Sequence, residues 1–229
     1  LIMKKKYIIR YSLEFLVIVL GISLSFYIEK RNANNYKQSL KNQSLTRISK
    51  NIKVDIADMK YNYKAHNIAS KSIEWIVNNN SQLLNKPKDS IGFHLTNAIS
   101  LGTIFVDNQE EYRALQNSGL IELIELEEVV LALQNKYSSH GFYKQLGDVI
   151  ISKNRELEGI LFKNTILENE SLNELGFPAG RIFMGNKKIS LFNIERLKDK
   201  KFYHEFYKKR IKVLIKSDSI LVELIKNEI

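Results

Sequence analysis

One uncharged apolar run near the start of the chain limits what it can fold into. Tyr7 to Ile28 reads YIIRYSLEFLVIVLGISLSFYI, and from Phe15 to Ile28 it carries no charge. As a helix the whole run spans roughly 33 Å, close to the hydrocarbon thickness of a bilayer. Tyr7, Tyr11 and Tyr27 sit where interfacial aromatics belong. Lys4, Lys5 and Lys6 precede the run, and the positive-inside rule assigns that end to the cytoplasm. Lys30 and Arg31 on the far side weaken this bias without reversing it. A cleaved signal peptide is the competing reading, with Ser23 and Ser25 as a small-x-small site. The run passes without a break into a charged helical stretch, so an uncleaved signal anchor is expected. This places residues 1–28 as a short cytoplasmic tail and transmembrane helix, and 29–229 as a periplasmic helical domain.

The anchor is not uniform. At about 100° per residue, Arg10, Glu14, Ile18, Gly21, Ser25 and Ile28 fall on one stripe. Arg10 and Glu14 are four apart and can pair. Gly21 and Ser25 form a small-xxx-small pair that lets a second helix approach closely. A carboxyl on that stripe should face protein or water rather than lipid. The stripe is therefore the expected contact with another membrane helix, from a second copy or a different protein. A proton-handling role for Glu14 and simple local pairing are the alternatives.

Beyond the anchor the chain reads as all-α. It holds only two prolines, Pro87 and Pro178, and ten glycines in 229 residues, which suits long helices. No Gly or Pro interrupts Glu29 to Lys86, and Leu45, Ile48, Ile52, Ile56, Met59 and Tyr63 recur at spacings of three and four. An extended helix over 29–78 follows, stopping at the Asn78-Asn79-Asn80 run. Further helices are expected over 89–101, 108–118, 125–167 and 199–229, the last with Phe202, Phe206, Ile211, Leu214, Ile215, Leu221, Leu224 and Ile225 on its apolar face. Asp107 or Asn108 suits a cap and Ser118-Gly119 a left-handed stop. Glu168 to Asn193, with Gly176, Pro178, Gly180 and Gly185, reads as a long loop. Arg181 within it is a candidate anion contact, weighed against an ordinary surface arginine.

Known chemistries leave no signature. There is no cysteine, which removes disulfides, Fe–S clusters and thiolate zinc sites. His66, His94, His140 and His204 stand far apart, and no metal spacing, nucleophile elbow or phosphate loop occurs. Glu110-Glu111 and Glu127-Glu128 are adjacent on helices, so each pair diverges by about 100° and makes no acid–base dyad. Neither catalysis nor a cofactor or metal is expected. The net charge of +10 comes from Lys interleaved with Glu, without a dense basic patch, so lipid headgroups rather than nucleic acid are the expected anionic partner.

Two stretches carry a resemblance. LEFLVIVLGISLSFYIEKRN has an acidic residue opening the span, a mid-span glycine and a charged stretch directly after, at Glu14, Gly21 and Glu29-Lys30-Arg31. EEYRALQNSGLIELI, Glu110 to Ile124, is a short helix ending in Ser-Gly before an apolar turn. Both resemble a family of single-span bacterial inner-membrane proteins of unknown function with a helical periplasmic domain. Phe26-Tyr27-Ile28 departs from the more polar span end of that family. The resemblance implies topology and no activity. The expected function is that of a structural or interaction protein of the bacterial envelope, as a homo-oligomer or an accessory subunit of a larger membrane complex. The alternatives are an energy-coupling subunit using Glu14 and a periplasmic ligand sensor acting through a partner.

Overall fold

The computed structural model describes residues 2–229; the side chains of residues 2–9 and of His140 fall outside the description. Among the described residues the chain is all-α, with six helices and one two-stranded ribbon. Helix α1 runs unbroken from Ile2 to Asn79. Its length, roughly 115 Å at about 1.5 Å per residue, follows from a run in which Gly21 is the only glycine and proline is absent. A 3-10 turn at Asn80–Asn85 ends it, and Pro87 starts α2, Lys88–Ser100.

Helix α3 covers Glu110–Asn117. Asn108 Oδ1 accepts the Glu110 N–H at 3.2 Å, but the cap position falls on Gln109, whose side chain makes no capping bond, rather than on Asp107 or Asn108. Gly119 then adopts φ +71, the left-handed stop anticipated from Ser118-Gly119. The expected helix over 125–167 is two helices, α4 Glu127–Ser138 and α5 His140–Asn164, with Ser139 between them. Its last residues instead form β1, Thr165–Leu167, antiparallel to β2, Arg181–Phe183, with Ile166 opposite Ile182. Helix α6 begins at Leu191, eight residues before the expected start, and ends at Glu228. Ser190 caps it, accepting the Asn193 N–H.

The segment between the strands is pinned rather than loose. Asn173 Oδ1 accepts the N–H groups of Leu175 and Phe177, and its amide donates to Asn97 on α2 at 2.9 Å. Asn80 bonds the Ile189 backbone in both directions, which fixes the approach to α6.

The core is strung along a seam between α1 and α6. The two run antiparallel: Lys41 meets Glu228, His66 meets His204, and Glu74 meets Lys201. Three apolar groups follow one another along the seam. Leu45, Ile48 and Ile52 pack with Leu221 and Ile225 and with Leu133 of α4. Met59 packs with Tyr207, Ile211 and Ile150 of α5. Ile73 and Ile76 pack with Leu197, Leu95 of α2 and Phe183 of β2.

Helix α2 touches the ribbon most closely at Gly92. A Cβ there would lie 1.8 Å from the Arg181 carbonyl oxygen. Gly92→Ala is therefore expected to lower stability by about 1–3 kcal/mol or more, measured by urea denaturation followed by circular dichroism. An unchanged midpoint would show that the ribbon does not pack on α2 as described.

Candidate interaction surface and polar layers

Residues 10–37 of α1 are exposed along their whole length, and among the described residues Lys41 is the first buried one of the helix. Phe15, Val17 and Phe26 each leave about two thirds of their surface uncovered. Among the described residues this is the one helix long and apolar enough to cross a bilayer by length and composition.

The stripe read from the sequence is present on it. Arg10 Nε lies 3.0 Å from Glu14 Oε1, so the two charges neutralise each other at i and i+4. The Ser25 hydroxyl donates to the Gly21 carbonyl at 2.9 Å, which folds its polar atom back onto the helix. Apart from its chain neighbours and the helix's own nearby backbone, nothing comes within 4 Å of the position a Gly21 Cβ would take. Ile18, Gly21, Ile22, Ser25, Phe26 and Glu29 outline a notch of about 380 Å³ there. Ile28 lies just beyond it, half exposed. The Lys4, Lys5 and Lys6 side chains lie outside the described residues.

Arg181 is occupied internally. Its Nε donates to Thr165 Oγ1 at 2.8 Å, its Nη2 donates to the Thr165 carbonyl, and its guanidinium stacks 5.0 Å from the Phe162 ring. It borders a 210 Å³ hollow between α2 and the ribbon, with Phe177 and Pro178 opposite. Its fork is thus spent on holding β1 to β2.

Three buried polar layers, none of them anticipated, interrupt the α1–α6 seam. At the end nearest the apolar segment, Glu228 accepts from Lys41 and from the backbone N–H groups of Glu125 and Leu126. A carboxylate from the end of α6 thereby caps the start of α4. Burial acts to raise the Glu228 pKa, yet these donors outweigh it and hold it below the usual carboxylate range.

The second layer is a triad. Lys136 Nζ of α4 lies 2.7 Å from Asp218 of α6 and 2.9 Å from Asp55 of α1, with all three side chains buried. Burial drives both carboxyls up, opposed by Lys136. Burial also pulls Lys136 down, and the two aspartates outweigh it, keeping the ammonium charged. Lys136 and Asp218 form part of the wall of a 330 Å³ groove between α4 and α6, with Arg210, Val213 and Leu221 nearby.

The third layer holds His66, His204 and Lys200. His66 Nδ1 lies 2.8 Å from His204 Nδ1, and Lys200 Nζ donates to the Ala98 and Ile99 carbonyls at 2.6 and 2.8 Å. Burial lowers His66 to about 4 and Lys200 to about 7.

Two sequence expectations shift as a result. Ile56 and Tyr63 are only partly buried, and Asp55, Asn62 and His66 hold the inward positions. Phe202 and Phe206 lie outside, stacked at 6.3 Å, while Lys200, His204 and Tyr207 point inward. The signal that finds these residues is spacing alone. Continuing the three-four alternation through polar positions lands on each of them.

No protein-family model, curated protein or solved structure matches this chain.

Lys136→Met leaves two buried carboxylates without a cation. A loss of about 3–5 kcal/mol is expected at pH 7 by urea denaturation. Both carboxyls bind protons more tightly folded than unfolded, so acid favours the folded form of this variant. Part of the loss should return between pH 7 and pH 5. A deficit that is small or independent of pH would mean the triad is not a buried charge cluster.

Proposed function

We propose that the chain is a single-span membrane-anchored interaction protein of the bacterial envelope, with the helical domain on the periplasmic side. It assembles with copies of itself or with another membrane protein through the Arg10, Glu14, Ile18, Gly21, Ser25 and Ile28 face. The observation carrying this reading is the apolar segment itself. Its surface stays bare while the domain buries its own core, so a bilayer and a second helix are what remain to cover it. In lipid there is little hydrophobic drive between helices, and close backbone approach decides which face associates. Gly21 and the folded-back Ser25 supply that approach.

The domain's role follows from continuity. Because α1 passes from the apolar segment into the seam without a break, whatever the segment binds is joined to the domain through one continuous helix. The Arg10–Glu14 pair favours assembly over proton handling, since the carboxylate already has a counter-charge beside it.

Full-length protein is expected to remain with membranes after alkaline carbonate extraction and to run in mild detergent as an assembly larger than a monomer. Gly21→Leu should weaken self-association about tenfold, in line with about 1–2 kcal/mol for such contacts. Release by carbonate would overturn the anchor. A monomer in detergent, with no co-purifying membrane protein, would overturn the interaction face.

A further inference from the structure

The histidine layer has a fixed arrangement of protons. His66 Nε2 lies 3.0 Å from the Thr103 carbonyl oxygen. A carbonyl only accepts, so Nε2 carries the hydrogen. In a neutral ring Nδ1 is then bare, and His204 must donate its Nδ1–H across the 2.8 Å contact. His204 is left with a bare Nε2, buried and without a partner. The layer therefore closes with two neutral imidazoles.

Among the described residues no carboxylate is hydrogen-bonded to either ring. The charges acting on them are Lys208 and, as pH falls below about 7, Lys200. From α2 come the Ala98 and Ile99 carbonyls, and from the following segment the Thr103 carbonyl, all engaged. From α6, Tyr207 stacks on His66 at 4.0 Å, and its hydroxyl accepts the Phe105 N–H. Glu205, next to His204 in sequence, is engaged by Ser70 of α1 and by Lys208. Asp58 acts on Tyr207 rather than on the rings.

We infer that His66, His204 and Lys200 form a proton-operated latch, closed at neutral pH and opened by acid, that sets whether α1 and α6 stay packed at this level. A first added proton has one open position, His204 Nε2. It creates a buried N–H with no acceptor beside the Lys200 ammonium. A second, on His66 Nδ1, sets two N–H donors head to head across the contact. Either state is relieved when the helices part and water reaches the rings.

The direction follows from linkage. The closed state holds these rings far less protonated than the usual His value near 6.5. The open state therefore takes up the protons, and closure weakens as pH falls from about 6.5 towards 4. For His66 alone, lowered to about 4, the closed-to-open ratio falls roughly a hundredfold by pH 4. The latch stands on the seam alone and does not require the membrane reading. If that reading holds, acidity on the domain side reaches the helix that carries the interaction face.

The chain has no cysteine, so a spin-label pair at Lys71→Cys and Lys198→Cys reports the α1–α6 distance without background. Full-length protein in detergent is expected to give a narrow distribution at pH 7 that lengthens and broadens reversibly at pH 4.5. The same labels in His66→Gln/His204→Gln should keep the pH 7 distribution. An unchanged distance down to pH 4, or the same change in the glutamine variant, would overturn the latch. Imidazole nitrogen NMR on unsubstituted protein gives a second reading should that variant not fold. Neutral rings at pH 6 with the two tautomers above support the latch, and titration of both near 6.5 overturns it.

Discussion

The antiparallel seam between α1 and α6 is the contact on which the rest of the domain depends. Its inward positions alternate by three and four on both helices. On α1 they run Lys41, Leu45, Ile48, Ile52, Asp55, Met59, Asn62, His66, Ala69, Ile73 and Ile76, all buried. On α6 they run Leu197, Lys200, His204, Tyr207, Ile211, Leu214, Asp218, Leu221 and Ile225, with Glu228 closing the row. This is the spacing of a two-helix coiled seam. Helices α2, α4 and α5 pack along its flanks, each meeting it at an apolar stretch that follows a polar layer.

Those layers do not strengthen the seam in any simple way. Apolar side chains of similar volume commonly match or exceed a buried ion pair in stability. What the layers supply is register. Sliding α6 by one turn would carry Asp218 away from Lys136 and Glu228 away from Lys41, stranding charges in an apolar setting. Breaking such pairs costs about 3–5 kcal/mol each, enough to reject the slipped pairing. Two layers also recruit a third element. Lys136 draws in α4, and Glu228 caps the start of that same helix. The position of α4 is thus set by charge at both ends.

The sequence made some of this legible. The unbroken course of α1 beyond the apolar segment followed from the lack of Gly and Pro after Gly21, and the α3 stop from Ser118-Gly119. The membrane-length segment was visible because Phe15 to Ile28 is an uninterrupted run without charge. The break at Ser139 and the early start of α6 were not, since neither position carries a strong breaker. The ribbon was missed because Thr165–Leu167 and Arg181–Phe183 are three-residue strands, too short for alternation to register. The polar layers were hidden for a different reason. Asp55, His66, Lys136, Lys200, His204 and Asp218 are types that usually face water. Only the partner brought by tertiary packing makes each tolerable inside, and Ile56 and Phe206 offered more hydrophobic but incorrect inward positions.

Between Ile28 and Gln38 the helix stands alone for about 15 Å, mostly polar. Beyond Lys41 it is part of the domain. Native-state hydrogen exchange on full-length protein in detergent separates these regimes most directly. Amides of α1 from Leu45 to Ile76 should exchange together with those of α6 from Leu197 to Ile225, at the free energy of global unfolding, while residues 30–37 exchange through local fraying. If the Leu45–Ile76 amides exchange independently of α6, the seam is not the unit that holds the domain together.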